Sequence, residues 1–175
     1  MELASALSLI RPIPDYPKPG ILFQDISPLL AHPQAFQRVI SEIADRDPLA
    51  EVAVGIEARG FILASAVAVR KGIGFVPIRK KGKLPAATYS RSYGLEYGVD
   101  EIEIHKDSLF PGCKVTLIDD VLATGGTLEA AISLVNDAGG TVTSIVVLLE
   151  IEVLEGRKKL EIIAPGTSLT ALVTI

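Results

Sequence analysis

The run Val115-Thr116-Leu117-Ile118-Asp119-Asp120-Val121-Leu122-Ala123-Thr124-Gly125-Gly126-Thr127 sets two adjacent carboxylates between an apolar stretch and a glycine-rich turn. In open α/β sheets, ligands bind just beyond the carboxyl ends of strands. A glycine-rich turn that opens a helix leaves backbone N–H groups free and aims the positive end of the helix dipole at the gap. The glycines of Ala123, Thr124, Gly125, Gly126 and Thr127 let the backbone approach a phosphate, and the threonine hydroxyls add donors. Asp119 and Asp120 cannot hold that phosphate. They suit the vicinal hydroxyls of a ribose, or a place near Mg²⁺. The combination describes a site for a sugar phosphate. Neither a P-loop lysine nor a GxGxxG accompanies it, which argues against nucleoside-triphosphate hydrolysis and dinucleotide binding. The plain alternative is an ordinary turn with an Asp pair at a strand end.

A second strand-to-helix turn, Glu57-Ala58-Arg59-Gly60, offers amides and one guanidinium to a second anion, or simply begins a helix with charge. Arg79, Lys80, Lys81 and Lys83 put four cations within five positions. Such a run is either a solvated loop or a clamp for a polyanion. No Ser/His/Asp or Cys/His grouping is present, and His32, His105 and the single Cys113 are read as structural.

The elements that must position these groups follow from periodicity. Phe36, Val39, Ile40 and Ile43 fall at helical spacing, so a helix spans about residues 34–45 and Pro48 breaks it. Residues 51–56 read as a buried strand and 60–71 as a helix closed by Gly72, with Arg70 and Lys71 suited to its C-terminal dipole. Residues 74–78 read as a strand weakened by Pro77. Residues 114–118, 141–149 and 169–175 are further strands, and a helix through Leu128, Ala131, Ile132 and Val135 ends at Gly139-Gly140. Alternating strands and helices predict a mostly parallel α/β sheet. Between Arg79 and Gly112 a polar segment with Gly82, Gly94 and Gly98 predicts a projecting, flexible loop or hairpin rather than core. The prolines at 12, 14, 17 and 19 predict an extended N-terminal arm.

Composition sets the outer bounds. A length of 175 residues suits one domain, 1–175. Apolar residues make up 49% and charged residues 22%, the balance of a globular chain rather than a disordered one. The net charge of −4 argues against binding DNA or RNA by bulk charge. Mean hydropathy is high at +0.41, yet the most apolar stretches, 60–69 and 142–149, are too short to span a bilayer. One cysteine leaves no internal disulfide, and the N-terminus lacks the basic region of a signal peptide. A cytoplasmic location without membrane attachment is expected.

The acidic pair and the turn after it resemble the phosphoribosyl diphosphate (PRPP) motif of type I phosphoribosyltransferases. The likeness extends to Asp15-Tyr16-Pro17-Lys18-Pro19-Gly20-Ile21-Leu22-Phe23-Gln24-Asp25-Ile26-Ser27-Pro28, to Gly55-Ile56-Glu57-Ala58-Arg59-Gly60-Phe61, to Arg79-Lys80-Lys81-Gly82-Lys83-Leu84-Pro85 and to Leu95-Glu96-Tyr97-Gly98. In order and spacing these blocks are similar to the adenine enzymes of that family. The resemblance implies an open, mostly parallel sheet flanked by helices, with the arm forming a hood over the base. It implies that adenine and PRPP give AMP and pyrophosphate with Mg²⁺, held mainly by the diphosphate rather than by protein ligands. Residues 123–127 would then hold the 5′-phosphate, and Asp119 and Asp120 the ribose. Glu57, Ala58, Arg59, Arg79, Lys80 and Lys83 would meet pyrophosphate, and Arg79 would reach the neighbouring site of a homodimer. Glu96 would exchange the purine proton. Tyr97 is kept among the substrate-binding candidates, although packing within the loop suits it as well as Tyr93. Phe23 would stack on the base or anchor the arm, and the backbones of Leu22 and Gln24 would read the base edge. Gln24 stands where most members carry Arg. An enzyme for a 6-oxopurine would want a lysine near O6, and none is evident. A PRPP-sensing regulator would want a DNA-binding domain, for which no length is spare.

Overall fold

A computed structural model describes residues 1–95 and 98–175, with side chains omitted at 95–99. Glu96 and Tyr97 lie outside the described residues. The chain divides into two compact units, Met1–Asp45 and Arg46–Ile175.

In the first unit, α1 (Leu3–Leu7) packs on α3 (Pro33–Asp45). Helix α3 buries Ala35, Val39, Ile40, Ile43 and Ala44, the face its spacing predicts. His32 Nδ1 accepts the Ala35 N–H at 3.3 Å and so satisfies one of the free amides of that helix start. The arm forms β1 (Arg11–Ile13) and β2 (Phe23–Asp25), paired antiparallel, before α2 (Ser27–Ala31). Arg11 Nη2 donates to Asp25 Oδ2 at 2.6 Å, and the Ser27 amide donates to Asp25 Oδ1 at 2.9 Å. Hydrogen bonds from Ser27, then from Arg11, hold the Asp25 carboxyl down at about 2.

The second unit contains β3 (Val52–Ile56), α4 (Arg59–Lys71), β4 (Gly74–Lys80), β5 (Thr88–Leu95), β6 (Gly98–His105), β7 (Lys114–Leu122), α5 (Gly126–Asp137), β8 (Thr141–Glu150), α6 (Gly156–Ile163) and β9 (Ser168–Thr174). Among the described residues these strands form one sheet in the order β5-β6-β4-β3-β7-β8-β9. The run from β4 to β9 is parallel, and the β5–β6 hairpin joins it antiparallel. The chain crosses from β3 to β4 in one direction and from β7 to β8 in the other. Right-handed crossovers therefore set α4 and α5 on opposite faces, and the order reverses between β3 and β7. Helix α4 packs on β3, β4 and β7, while α5 packs on β5 to β8.

Two details differ from the sequence reading, and a third, the strand through Pro77, agrees with it. Strand β7 does not stop at Ile118. Its pairing with β3 ends at Gly55↔Ile118, but its pairing with β8 continues to Leu122↔Glu150. Asp119 and Asp120 thus stand on a strand with β8 on one side and a crevice on the other. Ile102 and Ile104 of the hairpin are buried, because β6 pairs with β4 and makes the hairpin's base part of the core. Pro77 is tolerated inside β4. The Ile78 carbonyl faces β3 and accepts the Glu57 amide, so Pro77 faces the other side, where β6 pairs only from Arg79 onward. No helix of the described residues is long and apolar enough to cross a membrane.

Candidate functional site

The crevice at the chain reversal is bounded by two helix starts with an acidic pair between them. Asp119 and Asp120 are both buried. Asp119 Oδ1 accepts the Asp120 amide at 2.9 Å, and Arg59 Nη2 lies 2.6 Å from Asp120 Oδ2. That buried Oδ2 is held by this ion pair, which falls outside hydrogen-bond geometry. Burial raises the Asp119 carboxyl well above the ordinary range, and the charge of Asp120 raises it further. Burial also raises Asp120, with Arg59 working against the rise.

The first helix start follows β3. Helix α4 begins at Arg59 with no side chain capping its amides. Gly60 lets this turn press on the acidic pair, since a Cβ there would lie 2.8 Å from Asp119 Oδ1 and 3.0 Å from the Ile118 carbonyl. Glu57 ties the turn to the basic segment. Its carboxylate accepts from Arg79 Nε at 3.3 Å and from the Lys80 amide at 2.9 Å. Burial alone would push Glu57 up, but the Lys80 amide, Arg79 and the charge of Lys83 outweigh it and leave Glu57 below its ordinary value. Arg79 Nη1 also donates to the Lys83 carbonyl at 3.1 Å. Lys80 and Lys81 pair with Asp100 and Glu101 of the hairpin at 2.8 and 2.7 Å. Lys83 makes no ion pair among the described residues. The four cations are therefore not equivalent: Arg79 is oriented by Glu57, Lys80 and Lys81 hold the hairpin, and Lys83 acts on Glu57 by its charge without forming an ion pair among the described residues.

The second helix start follows β7 and carries no side-chain charge over residues 121–128. Gly125 precedes α5 with φ of 81°, a left-handed conformation that favours glycine, and no side chain caps the helix. Residues 121–128 surround a cavity of about 50 Å³. The Gly94 carbonyl of the hairpin lies 3.5 Å from where a Cβ on Gly126 would sit, and the Tyr93 hydroxyl donates to Asp100 Oδ2 at 3.2 Å. A further cavity of about 390 Å³, lined by Arg91, Tyr93, Thr124 and Lys159 among others, adjoins the turn.

Sequence reasoning missed what lies behind this turn. A Cβ on Gly156 would stand 2.2 Å from the Ala123 carbonyl oxygen and 2.9 Å from the Gly125 nitrogen. The next residue, Arg157, is held by the buried Glu150 at the end of β8, with Nη2 to Oε2 at 2.6 Å. A Gly-Arg pair after a predicted strand was the only signal available.

The structure brings Glu57, Ala58, Arg59, Asp119, Asp120 and 123–127 to the same edge of the second unit's sheet. Leu22, Phe23 and Gln24 belong to the first unit. Leu22 is exposed, Gln24 is buried opposite Pro12, and the Phe23 ring packs edge-on against Tyr16 at 5.1 Å.

Residues 26–166 match the family model described as phosphoribosyl transferase domain. The adenine phosphoribosyltransferase of Streptomyces galbus is 53% identical over 171 residues, covering 96% of this chain and 93% of that protein. The crystal structure of adenine phosphoribosyltransferase from Thermoanaerobacter pseudethanolicus superposes with a TM-score of 0.93 at 45% identity, covering 99% of this chain and 100% of that one. The enzyme from Giardia lamblia complexed with 9-deazaadenine gives 0.92 at 43%, covering 100% and 98%. Likeness at this level, in sequence and in fold and from end to end, makes the chain a member of the phosphoribosyltransferase family, in its adenine phosphoribosyltransferase branch.

Proposed function

We propose that this chain transfers the 5-phosphoribosyl group of PRPP to adenine, giving AMP and pyrophosphate, as a single functional domain. One observation carries the reading: a buried acidic pair, ion-paired by Arg59, stands between two uncapped helix starts. A ribose flanked by a phosphate on one side and a diphosphate on the other has the matching pattern of hydroxyls and charge.

In this reading the bond from the anomeric carbon to the pyrophosphate oxygen breaks as a ring nitrogen of adenine bonds to that carbon. The transition state is oxocarbenium-like. Residues 123–127 hold the 5′-phosphate by amides and hydroxyls, and Asp119 and Asp120 accept from the ribose hydroxyls. Ala58, Arg59 and Lys83, with Arg79 oriented by Glu57, neutralise the departing pyrophosphate. Lys80 contributes mainly by anchoring the hairpin through Asp100. Catalysis is then mostly positioning and electrostatics. As one ring nitrogen of adenine bonds to the anomeric carbon, another gives up its proton, which Glu96 takes, and Tyr97 is kept as a substrate-binding candidate. Phe23 stacks on the base and the backbones of Leu22 and Gln24 read its edge, so the missing Arg at position 24 changes little.

Mg²⁺ fits this site as part of the substrate. The two buried carboxylates beside Arg59, Asp119 and Asp120, would be compensated by a diphosphate-bound cation. When bound, it would neutralise charge on the leaving diphosphate. We further propose a cytoplasmic homodimer in which Arg79 reaches the neighbouring site. Mass measurement in solution tests the dimer, and Arg79→Ala that left turnover unchanged would remove that contact.

A base panel tests the function. Purified protein with Mg²⁺ and PRPP should form AMP from adenine and no nucleotide from hypoxanthine, guanine, xanthine or uracil. Another base winning would overturn the role given to the arm. Tight PRPP binding without any product would favour a sensor.

A further inference from the structure

We infer that the first turn of α6, Gly156 with Arg157, is a brace that sets the conformation of the phosphate-binding turn. The inference rests on the reading that residues 123–127 hold the 5′-phosphate.

Three observations meet at this point. First, a Cβ on Gly156 would stand 2.2 Å from the Ala123 carbonyl oxygen, 2.9 Å from the Gly125 nitrogen and 2.8 Å from Leu122 Cδ1. Two of these are backbone atoms of the turn, so no side-chain rotation relieves the clash. Gly156 in turn supplies the floor under Gly125, its carbonyl lying 3.1 Å from where a Cβ on Gly125 would sit. Second, the brace is itself anchored. Arg157 Nε donates to Glu150 Oε1 at 3.0 Å, Nη2 donates to Glu150 Oε2 at 2.6 Å, and Nη1 donates to the Leu169 carbonyl at 3.0 Å. This fork fixes α6 to the ends of β8 and β9. Third, Glu155 holds φ of 54°, a left-handed conformation unusual for a side chain other than glycine. A residue stays there only when its surroundings over-determine it.

The β7–α5 turn has no side-chain cap and no charge of its own, so the packing of Gly156 behind it does much to aim its amides. Arg157 and Gly156 act through the turn and touch no substrate in this reading. They are positioning residues. Their signature is a selective loss of affinity for whatever bears the 5′-phosphate, with affinity for adenine kept.

The test compares wild type, Gly156→Ala and Arg157→Lys for ribose 5-phosphate binding by calorimetry, for KM of PRPP and of adenine, and for Tm. In Gly156→Ala, Kd for ribose 5-phosphate and KM for PRPP should rise on the order of 10- to 100-fold, the scale of a displacement of about 1 Å. KM for adenine should stay within about twofold. Adding Leu122→Ala should not rescue Gly156→Ala, because the tightest contact is with backbone. Should Gly156→Ala fail to fold, Arg157→Lys, which keeps the charge and loses the fork, must show the same selectivity at smaller size. Folded variants that bind ribose 5-phosphate like wild type, or rescue by Leu122→Ala, would overturn the brace. A wild type that binds no ribose 5-phosphate and makes no AMP would instead overturn the function on which it rests.

Discussion

The two strand-to-helix turns of the crevice solve similar problems with different chemistry. Both open helices without a side-chain cap, so both present free amides and a positive dipole end. The β3–α4 turn adds charge: Arg59 on Asp120, and Glu57 gathering Arg79 and the Lys80 amide. The β7–α5 turn adds none and relies on glycine, two threonines and the packing of Gly156. A group that stays attached through the reaction needs a fixed, neutral cradle, since its charge does not change. A leaving diphosphate develops charge as its bond breaks and is best met by cations. The asymmetry supports the proposal that the first turn meets the leaving group and the second the phosphate that remains.

The acidic pair links the two turns, and removing its charge should break the comparison most severely. Asp119→Asn with Asp120→Asn should lower kcat/KM by at least about 10³-fold, since several charge-assisted contacts are lost together. Near-normal activity in the double variant would sink the assignment of the ribose to this pair.

Glu96→Gln comes next in size. Loss of a proton acceptor typically costs 10²- to 10⁴-fold in the chemical step. The expected result is a single-turnover rate down by about 10², with PRPP affinity unchanged. An unaltered single-turnover rate would take Glu96 out of the proton transfer.

A smaller effect appears in stability. The raised Asp119 carboxyl means that the folded chain holds a proton which the unfolded chain, titrating near about 4, has released. Stability of the free protein should fall as pH rises from the ordinary carboxylate value through the raised one, and stay low above it. Asp119→Asn removes that penalty and should raise Tm by a few degrees at neutral pH while lowering activity. A Tm that drops instead, by calorimetry at several pH values, would mean that the burial costs nothing.

The legible part of the sequence was the part written in local pattern. Phe36, Val39, Ile40 and Ile43 give α3 because one helical face is buried. The acidic pair and residues 123–127 were readable as one strand-turn-helix run, and the structure builds that run as β7, the turn and α5. What failed depended on partners distant in sequence. Strand β7 was read short because polarity begins at Asp119, yet β8 carries the pairing on to Leu122. Ile102 and Ile104 looked like part of a projection because their burial depends on β4, more than twenty residues earlier. Helix α6 buries only Gly156 and Leu160, too little apolar pattern to announce itself. The importance of Gly156 lies in a contact with Ala123, which no spacing encodes. Lys80 and Lys81 read in the sequence as part of a solvated loop or a polyanion clamp, and the structure pairs them with Asp100 and Glu101 of the hairpin.

The division of labour between the turns is tested most directly in the reverse reaction, where the two anions enter on separate molecules. Arg59→Ala and Thr127→Ala are assayed for synthesis of PRPP and adenine from AMP and pyrophosphate. Loss of one bond to a charged group is worth about 1.5–3 kcal/mol, or roughly 10- to 150-fold. Arg59→Ala should raise KM for pyrophosphate by that factor and KM for AMP by clearly less, the smaller effect coming from its ion pair with Asp120. Thr127→Ala should do the opposite. If both variants weaken both substrates equally, or if the selectivities are exchanged, the assignment of one turn to each anion is wrong.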